Sequence, residues 1–130
     1  MQEYLTDAVL LDYNPVRDQD GRFALYTEKY GKLMPSGVSV RKITSKLMGH
    51  LQPGYLTTVR LIEKKGLRVV DAMKRGTVSA SIPDLERLSR LLHEVEPDHE
   101  LWKALTAPAA QTSFSWTIIL LVLGWDPTHA

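Results

Sequence analysis

Apolar and polar positions alternate through the first 72 residues of this chain and recur at intervals of three and four after residue 80, so strands should precede helices. Residues 5–13 read as a first strand, with Val9 and Leu11 on one face and Leu10 and Asp12 opposite. A turn-rich link over 14–21 contains Pro15 and the pair Asp20-Gly21, and a second strand follows at 23–27. Residues 28–31 form a tight hairpin turn in which Gly31 supplies a positive φ. The third strand, 32–40, is bent because Pro35 and Gly37 lie inside it. The pattern then gives a loop through Thr44, a short helix or turn near 45–50, a strand at 55–62, a hairpin turn at 63–66 and a returning strand at 67–72. Five strands of this length predict a small closed or nearly closed barrel, since closure removes vulnerable sheet edges.

The period changes after Ala80. Ser81 is placed to cap a helix with Pro83 in its first turn and Asp84 at the third position, and Leu85, Leu88, Leu91, Leu92 and Val95 line one face. Residues 98–105 read as a second short helix carrying Leu101, Trp102 and Leu105. Residues 113–123 read as a third, apolar nearly all round, stopped by Gly124. The expected organisation is an all-β unit over 1–80 followed by a small helical unit over 81–130.

Charge divides along the same line. Residues 1–80 hold 13 Lys and Arg against 8 Asp and Glu, whereas 81–130 hold 3 against 7, so a net +1 conceals a basic front and an acidic back. A basic front suits a polyanion. The segment 38–53 contributes Arg41, Lys42 and Lys46 and no acid.

With no cysteine, the chain has neither a disulfide framework nor a thiolate zinc site. The N-terminus lacks the pattern of an export signal and the apolar run 116–125 is too short to span a bilayer, which predicts a soluble, cytoplasmic protein. Catalytic patterns are missing as well. Asp12, Asp18 and Asp20 cluster at a turn, the four histidines have no metal-ligand spacing, and neither a GxSxG elbow nor a GxxxxGK[ST] loop occurs. The expectation is a non-catalytic protein without cofactors.

The run from Tyr26 to Ala72 resembles the N-terminal barrel of the RecO family of bacterial DNA repair and recombination mediators. Four features carry the similarity: a TxxYGK hairpin at 27–32; a Gly-Val-x-Arg-Lys pattern with an extra Ser39; Ser-Lys-Leu and Leu-Gln-Pro stations within 45–53; and a glycine hairpin before Leu67. The closing LLVLGWDP resembles the start of that family's helical domain.

The resemblance implies an OB-fold that binds single- and double-stranded DNA, assists strand annealing and recombinase loading, and associates with the nucleoid. Its implied protein partners are RecR, single-strand binding protein and the strand-exchange recombinase. DNA contacts are expected from Tyr30, Lys32, Arg41, Lys42, Lys46, His50, Lys64, Lys65 and Arg68, and partner contacts from Arg87, Leu88, Arg90 and Leu92. Three cations against seven acids in the helical part predict weak binding of an acidic single-strand binding protein tail. Many family members carry a cysteine-bearing zinc element beyond the position of Pro127, so the helical part reads as incomplete, its apolar third helix (Ile118, Ile119, Leu120, Val122, Trp125) supporting a weak dimer. The alternative is a protein-interaction module in which the barrel is structural and the helices bind a partner protein. No membrane contact is expected.

Overall fold

The computed structural model describes residues 2–14, 21–37, 47, 49–92, 97–106 and 116. Among these residues five strands, β1 (Gln2–Asn14), β2 (Arg22–Thr27), β3 (Gly31–Leu33), β4 (Tyr55–Glu63) and β5 (Leu67–Thr77), precede the helices α1 (Ile82–Leu91) and α2 (His99–Thr106). All ladders are antiparallel and the spatial order is β3-β2-β1-β4-β5.

β1 is the centre of the sheet. Its residues pair with β2 in the register Val9↔Tyr26 and with β4 in the register Ala8↔Thr57. Because side chains alternate across a strand, β1 and β2 feed two cores. One face sends Ala8, Leu10, Phe23 and Leu25 to meet Leu47, Leu51, Val59, Leu61, Val69 and Ala72. The other sends Val9, Leu11, Ala24 and Tyr26 to meet Leu85, Leu88 and Leu92 of α1 and its flank, and Leu101, Trp102 and Leu105 of α2. The helices thus lie on the back of the sheet.

The strands do not close into the expected OB barrel. They form one open sheet whose edge strands, β3 and β5, share no ladder among the described residues, where Ser36 bridges to Arg68, its N–H donating to the Leu67 carbonyl at 2.9 Å and its carbonyl accepting from Val69 at 3.0 Å. The cause lies in β3, which ends at Leu33 just before Pro35 removes a ladder donor. A three-residue edge strand is too short to zip along an eleven-residue partner.

Local signals set the helices. Ser81 caps α1, its hydroxyl accepting from the Asp84 N–H at 3.3 Å, and Leu92 stops it by turning extended. Asp98 caps α2, one carboxylate oxygen accepting from Glu100 at 2.9 Å and from Leu101 at 3.1 Å. Trp116 is helical, and its indole N–H donates to Asp84 at 2.8 Å. The remainder of the expected third helix, including the residues assigned to a dimer, lies outside the described residues.

Candidate nucleic-acid interface

The β4–β5 hairpin collects cations at its tip. The turn Lys64-Lys65-Gly66 places Lys65 at φ 53° and Gly66 at φ 108°, a left-handed pair that lets an antiparallel ladder reverse within three residues. Lys64 and Lys65 are exposed, and Arg68 sits one step into β5, half-buried beside Ser36. Among the described residues none of these three forms an ion pair with a carboxylate. The neighbouring cations are occupied: Arg60 pairs with Glu3 at 3.6 Å, and Arg75 donates to the Thr58 hydroxyl at 2.9 Å, which in turn donates to Asp7 at 2.6 Å.

His50 stands at the other end of the same hairpin. Its Nδ1 accepts the Lys74 backbone N–H at 3.1 Å and its carbonyl accepts from the Thr57 hydroxyl at 2.8 Å, while Leu51 beside it is locked in the core. Lys74 lies opposite Thr57, and its ammonium rests 3.8 Å from the centre of the Tyr55 ring. From Thr57 to Glu63 the strand advances by six residues, about 20 Å, so the hairpin carries two separate positive ends.

The other expected contacts are placed individually. Tyr30 is exposed in the β2–β3 turn and meets the Tyr4 ring edge-on at 5.1 Å. Lys32 shares a sheet face with Tyr26 and reaches the last turn of α1, where its ammonium donates to the Ser89 carbonyl. Burial pushes that ammonium below the usual lysine range. Lys32 thus faces the helices and not the hairpin tip. Arg41, Lys42 and Lys46 lie outside the described residues.

Leu88 of α1 and Leu92 just after it are fully buried core, whereas Arg87 and Arg90 are exposed. These two arginines, with Leu91 and Trp116, line an open groove of about 430 Å³. Leu91 is 52% exposed, so the apolar stripe on α1 is one residue narrower than its spacing suggests.

Comparison with known families decides what this arrangement belongs to. Residues 1–76, from the start of the chain to the last residue but one of β5, match the family described as Recombination protein O N terminal. The chain belongs to the recombination protein O family. No curated protein matches it. The family match covers all of the sheet but its last residue, Thr77, including both positive ends of the hairpin, and stops before α1.

Among the described residues, no three His, Asp or Glu are grouped to hold a metal ion. No helix among them is long and apolar enough to cross a membrane. Sequence reasoning passed over Tyr55 and Lys74 as a pair. Lys74 lies beyond the expected end of the last strand at 72, and only the extended β4–β5 ladder brings it onto the Tyr55 ring.

Proposed function

We propose that this chain is a non-catalytic DNA-binding protein of recombinational repair, contacting the phosphate backbone of single- and double-stranded DNA first through the β4–β5 hairpin tip. Lys64, Lys65 and Arg68 carry the reading: among the described residues these three gather at one hairpin tip without a carboxylate partner, whereas Arg60 pairs with Glu3 and Arg75 and Lys32 donate to neighbouring protein oxygens. Cations that meet phosphates position a duplex or strand without reading its sequence, which suits a mediator acting on DNA of any sequence. Strand annealing, recombinase loading and association with RecR belong to the same proposal and rest on family membership.

Fluorescence anisotropy of labelled oligo-dT and of a duplex across a salt series tests it. Each phosphate contact contributes about 0.7 to the slope of log affinity against log salt for single strands and about 0.9 for duplex. Replacing Lys64 and Lys65 together by Ala should therefore reduce the slopes by about 1.4 and 1.8. A double variant with the parental slopes, or a parent without salt-dependent binding, defeats the reading.

The groove beside Arg87, Arg90, Leu91 and Trp116 favours a second role, docking of a protein partner through an apolar floor with a cationic rim. The acidic tail of single-strand binding protein is the ligand that family membership suggests. Calorimetry with a tail peptide, comparing the parent with an Arg87→Ala/Arg90→Ala variant, tests it; equal affinities would remove these arginines from any such contact.

A further inference from the structure

The Tyr55–Lys74 contact lies at the end of the hairpin away from its charged tip. Tyr55 opens β4, is half-buried, and carries the Lys74 ammonium against its ring at 3.8 Å. The Lys74 side chain is exposed, and among the described residues it has no carboxylate partner. Its backbone is fixed independently, because the N–H is held by His50 Nδ1 at 3.1 Å and the residue pairs across the ladder with Thr57. The ammonium can therefore leave the ring without disturbing β5.

We propose that Tyr55 and Lys74 form a subsite for one nucleotide of single-stranded nucleic acid, the base stacking on the Tyr55 ring and the freed Lys74 ammonium meeting an adjacent phosphate. This deepens the DNA-binding reading above and rests on it. The exchange is favourable in kind: an exposed cation–π contact is among the weaker interactions of an aromatic face, and base–aromatic stacking is stronger. Lys74 gains a full negative charge in return for the ring quadrupole. A paired base cannot offer its face to Tyr55, so the subsite selects unpaired strands. With the hairpin tip about 20 Å away along β4, a bound strand is held at two points.

The experiment uses the full chain with labelled oligo-dT and a duplex of equal length, both titrated across a salt series. Tyr55→Leu keeps the apolar bulk and removes the π face; it should weaken oligo-dT binding about five-fold or more and leave duplex binding at the parental value. Tyr55→Phe should bind oligo-dT like the parent, which separates stacking from any role of the hydroxyl. Lys74→Ala should lower the oligo-dT salt slope by about 0.7. The subsite is refuted if Tyr55→Leu weakens both ligands equally or neither, or if Lys74→Ala keeps the parental slope. Loss of binding in the Lys64→Ala/Lys65→Ala variant with no change in Tyr55→Leu removes the subsite alone. A parent that binds neither DNA removes the subsite together with the general reading.

Discussion

The Tyr26 hydroxyl donates to the Asp98 carbonyl at 3.2 Å and accepts from the Asp98 N–H at 3.0 Å, joining the middle of the sheet to the residue that caps α2. Asp98 spends its carboxylate on the first turn of the helix and its carbonyl also accepts from the Trp102 N–H at 2.9 Å, so the phenol supplies the partner of the Asp98 N–H and a second donor to the carbonyl. Tyr26 is fully buried and its ring lies 6.3 Å from that of Trp102.

Tyr26→Phe should retain the packing and lose the two-way bond, lowering stability by about 1 kcal/mol in urea denaturation, since the half-buried Asp98 N–H loses its partner while the Asp98 carbonyl keeps the Trp102 N–H. The same residue sets an alkaline limit. Burial raises its phenol above the ordinary value of 10.0, so the unfolded chain ionises first. The contribution is fully present below pH 10.0 and is lost as pH rises through the raised value. Stability measured upward from pH 10.0 should fall more steeply in the parent than in Tyr26→Phe.

Gly21 closes on Tyr13. A Cβ at this position would lie 2.2 Å from the Tyr13 hydroxyl oxygen, and Tyr13 is held against Phe23 with ring centres 4.7 Å apart. Gly21→Ala should force the ring off Phe23 and lower stability by about 1 kcal/mol. In a Tyr13→Ala background the glycine substitution should cost little, and thermal melts of the four-member cycle will show it.

Lys65 is the one non-glycine residue with a positive φ among those described. Asn tolerates this conformation better than Lys, so Lys65→Asn should raise stability by about 1 kcal/mol and at the same time weaken DNA binding through the lost charge. Urea denaturation and anisotropy should therefore move in opposite directions. A loss of both would assign Lys65 to packing.

Lys32 separates charge from function. Lys32→Met removes an ammonium that serves the Ser89 carbonyl at the end of α1, and stability should drop by about 1 kcal/mol while the DNA salt slope stays at the parental value. A reduced slope would return Lys32 to the DNA-contacting set.

The strands were legible because their chemistry is local. Tyr55, rich β-branching and the glycine hairpin place β4 and the start of β5 almost to the residue, and Ser81 marks α1 by itself. β5 runs on to Thr77 through Met73, Lys74 and Arg75, which carry little apolar signal; pairing with β4 extends it, and no periodicity records a partner. Closure was misread for a related reason. Strand count argued for a barrel, but whether β3 zips along β5 depends on how far the chain stays extended past Pro35. Of the candidate interface, the hairpin lysines could be read from the turn, whereas the diversion of Lys32 to a helix carbonyl and the meeting of Lys74 with Tyr55 are products of tertiary packing.

From Ala8 to Leu11 and from Phe23 to Tyr26, β1 and β2 are wetted on neither side, since Ala8, Leu10, Phe23 and Leu25 face one core and Val9, Leu11, Ala24 and Tyr26 the other. Cutting the chain between β5 and α1 would strip the second set of its cover and leave four apolar side chains as a sticky patch on the back of the sheet. Anyone isolating the family-matched sheet should therefore carry α1 and α2 along with it, because those helices act as the lining of the strands as much as a unit of their own.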